Sequence, residues 1–222
     1  LSLADLVDRH VGAGQAESLA LRWRGRNGRK REFTYGDLAA LSDRLAGHLR
    51  VAGLAPGEAV GVMLGRRPET VIAALAIWKV GGIYCPLFSD LGPDPLRARL
   101  EVAQVKLLMA CAGSVSNAVA PLQEEGRLAP ALWPLDEVQA LLDRDAPGSR
   151  SLGESSQGGL LHFTSGTTAP LSDASGKPRA VLHDGRFEGR LVDSAVQALG
   201  LSAGDLIWPT GEPGWIVHTA FG

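Results

Sequence analysis

The chain has 222 residues, 45% of them hydrophobic and 21% charged, with a net charge of −2. That balance describes an ordinary soluble globular protein, long enough for one large or two small domains, and it gives no support for nucleic-acid binding. The longest apolar run, Val71 to Trp78, is too short to cross a bilayer, and no signal peptide is visible, so the expectation is a cytoplasmic protein without a membrane partner. The chain opens at Leu1 rather than at methionine.

Leu3, Leu6, Val7 and His10 fall at helical spacing and predict a short amphipathic opening helix. Leu19, Leu21 and Trp23 alternate with polar residues, turn at Asn27-Gly28 and pair with Arg31 to Thr34, which reads as a β-hairpin. The basic run through it (Arg22, Arg24, Arg26, Arg29, Lys30, Arg31) is read as the solvated face of that hairpin. A longer helix follows from Tyr35 to Ala52, with Leu38, Leu41, Leu45 and Leu49 on one stripe and Gly53 closing it.

From there strand and helix alternate. Ala59 to Leu64 is a strand, and Pro68 opens a helix to Val80 that Gly81-Gly82 end. Ile83 to Leu87 is a strand, Asp94 caps the next helix, Lys106 to Ala110 is a strand, and Val115 to Glu125 is a helix before a short strand near Leu132. Units of this size predict a layered α/β fold: a mostly parallel sheet flanked by helices, behind an N-terminal β-hairpin. A polar connection, Asp143 to Gln157, leads to a strand at Leu160 to Phe163; further on, Phe187 to Leu199 has helical spacing and Leu206 to Trp208 reads as a strand. The expected division is a first α/β subdomain over 1–150 and the start of a second over 151–222.

Thr164, Ser165, Gly166, Thr167 and Thr168 place four hydroxyls and a glycine in five residues, with Lys177 and Arg179 close behind. Buried hydroxyls need partners, so this run is poor core material. Glycine lets the backbone turn tightly, and successive N–H groups and hydroxyls can converge on phosphate oxygens. On residues alone two readings stand, a flexible polar surface loop and an anion cradle. The Walker loop is excluded, because Gly176-Lys177 is followed by Pro178 and no glycine sits at the required upstream spacing.

The stretch resembles the phosphate-loop signature of adenylate-forming enzymes, [YF]TSGTTG-x-PK-[GA]-V. Phe163 to Thr168 match its first half and Gly176 to Val181 (GKPRAV) its second. Ala169 to Ser175 stand between the halves, where the family has nothing, and Arg179 stands where it usually has lysine. The resemblance extends along the chain, closest to acetyl-CoA synthetase-like enzymes: Thr34 to Leu64, Ala73 to Ala110 with its PLF and Leu-Arg-x-Arg-Leu, and Gly204 to Gly222 (GDLIWPTGEPGWIVHTAFG) with Trp208, Thr210, Gly214 and Trp215 in register.

The resemblance implies the N-terminal subdomains of the adenylate-forming fold, and an acid–thiol ligase that activates a short- or medium-chain carboxylate as acyl-AMP with ATP and Mg2+ and passes it to CoA. Thr164, Ser165, Gly166, Thr167, Thr168, Lys177 and Arg179 would bind the ATP phosphates, and Trp215, Ile216 and Val217 would line the acyl and CoA region. No catalytic residue and no metal ligand is assigned. Family members are longer, and their adenine, ribose and mobile-lysine segments have no counterpart here. The chain therefore reads as an N-terminal piece, inactive by itself and prone to self-association through uncovered sheet edges. The alternative is a non-catalytic nucleotide-binding or interaction module. Among the remaining aromatic residues Trp78 and Trp208 are expected in the core, His162 and His183 as hydrogen-bonded structural histidines, and His218 near the acyl region.

Overall fold

The computed structural model describes residues 3–146, 158–164, 178–184, 196–202 and 204–214. A 3-10 turn (Leu3–Asp5) and helix α1 (Asp8–Gly12) form the opening, then strands β1 (Leu19–Arg24) and β2 (Lys30–Thr34) pair antiparallel as a separate two-stranded sheet. Gly28 at the hairpin tip has φ +79°, a conformation a side chain would oppose. Helix α2 (Tyr35–Val51) starts on a capping box: Thr34 Oγ1 accepts the Asp37 N–H at 3.1 Å, and the Asp37 carboxylate accepts the Thr34 N–H at 2.9 Å. Such a box stabilises a helix start by about 1 kcal/mol.

The main sheet has six strands in the order β6-β5-β3-β4-β7-β8. Strands β3 (Ala59–Met63), β4 (Ile83–Pro86), β5 (Val105–Ala110), β6 (Ala131–Pro134) and β7 (Gly159–Phe163) run parallel, and β8 (Ala180–Asp184) returns antiparallel to β7. Every residue of β3 is buried, as expected of a central strand covered on both faces. One face packs against α2, α3 (Pro68–Lys79) and α7 (Leu135–Leu142); there Val60, Val62, Leu107, Met109 and Leu160 meet Leu45, Ile72 and Val138. The other carries α4 (Pro93–Val102) and a helical stretch built of α5 (Ala112–Ser114), a π-helical segment (Val115–Val119) and α6 (Ala120–Glu124), with Leu96, Leu100, Val119 and Leu122 in its core. The layered, mostly parallel sheet and the antiparallel hairpin are those the sequence predicts.

Several expectations change. The boundary expected at residue 150 falls between α7 and β7, and β7 pairs with β4 in the main sheet. Asp94 does not cap α4: the N-cap is Gly92, and the Asp94 carboxylate instead accepts from Arg127 at 2.7 Å. Leu206 to Trp208 form no strand, and Trp208 is 85% exposed rather than in the core, because no described strand lies beside the segment. Trp78 is a core residue, its Nε1–H donating to the Gly159 carbonyl at 3.0 Å.

Two buried ionic clusters brace the helices. The Lys79 ammonium, wholly buried, lies 2.9–3.0 Å from the Asp8 carboxylate and 2.6 Å from Asp43, and donates to the Ala39 carbonyl at 3.3 Å. Glu69, 2% exposed, accepts from Arg31 at 2.9 Å and from Gln139 at 3.1 Å. They tie α1 to α2 and α3, and the hairpin to α3 and α7.

Candidate active site at the C-terminal edge of the sheet

All five parallel strands point their C-terminal ends to one edge. The chain leaving β3 enters α3 on one face, and the chain leaving β4 enters α4 on the other. The ends of β3 and β4 therefore frame a crevice at a switch of direction, where open α/β sheets bind ligands.

The hydroxyl-rich loop begins at this edge. Thr164, exposed, follows β7 directly, and its N–H donates to the carbonyl of Arg179, also exposed, at 3.0 Å. Phe163 and Ala180 are register partners in the β7–β8 ladder. The two halves of the sequence motif thus leave and re-enter a closed antiparallel stem, and Ala169 to Ser175 lie within its connection. Thr164 and Arg179 are brought together; Ser165, Gly166, Thr167, Thr168, Lys177, Trp215, Ile216, Val217 and His218 lie outside the described residues.

The two faces of the stem differ. On one, the Arg99 guanidinium of α4 stacks over the Phe163 ring at 5.4 Å from its centroid and donates to the Pro95 carbonyl at 2.9 Å. Burial lowers the Arg99 pKa, and the nearby Cys85 acts in the opposite sense. The Cys85 thiol, fully buried, is pushed up to about 12 by that burial, which rules it out as a nucleophile near neutral pH. On the other face, His162 is 5% exposed and neither ring nitrogen has a hydrogen-bond partner. The expected hydrogen bond is present only as a weak interaction with the Gly214 backbone. Burial first, and the neighbouring His183 second, hold its pKa down at about 4, against a weaker upward pull from the Gly214 backbone. The ring stays neutral near pH 7, with the Gly214 backbone and His183 as polar neighbours.

Residues 204–214 lie across the same edge. The Glu212 carboxylate accepts both the Ser89 N–H, at 2.8 Å, and the Ser89 hydroxyl. The Ser89 carbonyl accepts the Ser114 hydroxyl at 2.8 Å, and Ser114, fully buried, also reaches the Met63 carbonyl at 3.4 Å. A Cβ on Gly214 would stand 2.8–2.9 Å from three atoms of the Phe88 ring, so only glycine lets the backbone lie flat there. Arg66 donates to the Thr210 carbonyl at 3.0 Å, while its own carbonyl accepts Trp23 Nε1–H at 2.8 Å. Ser89, Ser114 and Glu212 were not singled out in the sequence; the only signal is that Glu212 and Ser89 fall inside the segments carrying the family resemblance.

Among the described residues no group of three or more His, Cys, Asp or Glu side chains is placed to hold a metal, and no helix is long and apolar enough to cross a membrane. What the described edge offers is a closed stem at which the hydroxyl-rich run begins, with exposed Thr164 and Arg179 on it, and a segment bonded at the ends of β3 and β4.

Comparison with known proteins agrees with this layout. The chain is 28% identical to an acetyl-coenzyme A synthetase of Gemmatimonas aurantiaca, over 97% of this chain and 36% of that protein. A 3-hydroxypropionyl-coenzyme A synthetase of Sulfurisphaera tokodaii is also 28% identical, with the same coverage. The chain thus spans about a third of the length of these relatives. Among solved structures, an acyl-CoA synthetase of Brucella canis superposes with a TM-score of 0.78 at 23% identity, over 99% of this chain and 40% of that one. VinN gives a TM-score of 0.79 at 23% identity, over 99% and 53%. These structures share the fold. With a family model matching residues 8–184, most of the sequence, the chain belongs to the AMP-binding enzyme family.

Proposed function

We propose that this chain furnishes the phosphate-binding loop and part of the acid-binding side of an AMP-forming acid–thiol ligase, acting on a short- or medium-chain carboxylate, ATP and CoA. The observation that carries the reading is the closed stem: the Thr164–Arg179 bond sets the two halves of the motif side by side despite the inserted residues. Lengthening a surface loop costs little, so the insertion can be accommodated without opening the stem.

In the first step a carboxylate oxygen attacks the α-phosphorus of ATP and pyrophosphate leaves. In the second a thiolate attacks the acyl carbonyl and AMP leaves. Both reactants in the first step are anions, so positioning and charge neutralisation carry the catalysis. Ser165, Thr167 and Thr168, with the N–H groups around Gly166, would hold the β- and γ-phosphates, and Lys177 and Arg179 would offset their charge. Magnesium would arrive with the nucleotide, held largely by the phosphates themselves. Trp215, Ile216 and Val217 would wall the acyl and CoA region, and the reaction belongs in the cytoplasm. Adenine, ribose and a mobile lysine have no assigned residues here, so the 222-residue polypeptide alone should bind nucleotide without making acyl-CoA. The exposed apolar residues of β8, Val181 and Leu182, offer a sheet edge for self-association.

Calorimetric titration with ATP and magnesium tests the reading. Binding is expected for the wild-type chain and should weaken at least tenfold in Thr167→Ala, the scale of losing one donor in an organised phosphate site. No binding at millimolar nucleotide refutes the cradle. The second reading, a nucleotide-binding or interaction module without catalysis, is favoured by the inserted Ala169 to Ser175. Pyrophosphate release with acetate, propionate, butyrate and octanoate decides: acid-dependent release above a Ser165→Ala control rules that module out.

A further inference from the structure

Residues 204–214 are held to the sheet edge in an unusual way. Their large apolar side chains do not anchor them: Leu206, Ile207 and Trp208 are 67%, 42% and 85% exposed. The Ser202–Asp205 turn, with Ser202 N–H to Asp205 Oδ2 at 2.7 Å and Asp205 N–H to the Ser202 carbonyl at 3.1 Å, is internal and fastens the segment to nothing else. Its attachments include the Ser89–Glu212 pair, the Arg66–Thr210 bond, the contact of Gly214 with Phe88 and the approach of the Gly214 backbone to His162.

We propose that Ser89 and Glu212 form a polar latch that positions the acid-binding side of the site. Glu212 receives two bonds from one residue, and a charged acceptor makes both strong. Ser89 in turn is fixed through Ser114 to the end of β3, where Cys111 N–H also donates to the Met63 carbonyl at 3.1 Å. The latch therefore refers the segment to the ends of β3, β4 and β5 at once. Gly214, pressed on Phe88 beside Ser89, is the last residue before Trp215, the first residue proposed for the acyl wall. Ser89 and Glu212 would act on the acid through the segment they hold, and are therefore positioning residues. The assignment rests on the proposed ligase reading.

Hydrogen exchange on the full 222-residue chain, with and without butyrate, and calorimetry with ATP and magnesium test it. In Glu212→Ala the amide of Ser89, which donates to that carboxylate, should exchange at least tenfold faster, and in Ser89→Ala, where the hydroxyl bond is lost, by a smaller factor, while β3 and β5 keep their protection, which shows that the variants remain folded. The double variant should add little to Glu212→Ala, because that substitution already removes both bonds. Butyrate should protect 206–214 in the wild type and fail to do so in either variant, with ATP affinity changed less than twofold; Glu137→Ala, on the exposed side of α7, should behave as wild type. Unchanged exchange in the variants overturns the latch. Faster exchange with butyrate protection retained overturns its role on the acid side, as does a wild-type chain that butyrate does not protect. Butyrate protection without any ATP binding would sink the phosphate-loop reading and leave the latch standing.

Discussion

His162 gives the sharpest test of the fold, because it lies at the root of the phosphate loop with both ring nitrogens unpaired. The unfolded chain takes up a proton on this ring near its ordinary value of 6.5, whereas the folded chain does so only near 4. Between those values the unfolded state holds more protons, so stability falls as the pH falls. At 1.36 kcal/mol per pH unit, the gap between 6.5 and about 4 is worth about 3 kcal/mol once fully developed, and about 2 kcal/mol of it is lost between pH 7 and pH 5.

His162→Leu removes the titrating group at similar volume. At pH 7 leucine sheds the cost of burying a poorly paired imidazole, about 1–3 kcal/mol, against a packing mismatch of about 1 kcal/mol, so the variant should be no less stable than wild type. Urea unfolding followed by tryptophan fluorescence at pH 7, 6 and 5 gives the difference between the two proteins, in which all other titrating groups cancel. That difference should move by about 2 kcal/mol in favour of leucine from pH 7 to pH 5. A difference flat to within about 0.5 kcal/mol would mean that the ring is solvated or bonded in the folded state, and would refute the argument.

Two further outcomes concern the ionic clusters. In Asp8→Asn/Asp43→Asn the buried Lys79 ammonium loses both anionic partners, and urea unfolding should show a loss of about 3–5 kcal/mol, more than either single substitution. At Glu69 burial opposes ionisation, but the bonds from Gln139, the backbone and Arg31 together outweigh it, so its carboxyl titrates below the usual value of 4.5. The stability it contributes is present above that value and lost as pH falls through the folded-state pKa. Gln139→Leu should move the carboxyl resonance midpoint of Glu69 upward in an NMR titration.

What could be read in the sequence divides along physical lines. Asn27-Gly28, Thr34 with Asp37, Gly53 and Pro68 mark turns and helix ends by local chemistry, and each element they bound is present. Helix α7 was not anticipated: it follows β6 without a break, its N-cap is Pro134 with no side-chain bond, and Leu135–Leu142 is too short for a firm period. Leu206 to Trp208 have strand composition, but a strand exists only where a neighbour supplies hydrogen bonds, and none among the described residues does. The phosphate-loop stem was legible because its parts are close in sequence. Ser89, Ser114 and Glu212 were not, since they come from three distant stretches and meet only where the strands end.

That meeting place follows from the parallel topology itself. Five parallel strands send every outgoing connection to one edge, so groups far apart in sequence gather there without any local signal. Strands β4 and β7 are direct neighbours, with Ile83 opposite Gly159 and Tyr84 opposite Leu160. Ser89, three residues past the end of β4, and Thr164, which follows β7 directly, therefore leave adjacent strands at the same edge of the sheet. A reaction that must hold a carboxylate against a polyphosphate needs two anion-handling elements side by side but independently supported. Here Thr164 stands on the antiparallel stem of β7 and β8 and the Ser89–Glu212 pair on the ends of β3, β4 and β5; the β4–β7 ladder joins the two, and the Gly214 backbone also reaches His162 of β7. Loss of the proposed latch should disturb acid binding first, because the Thr164–Arg179 bond that closes the stem does not pass through Ser89 or Glu212.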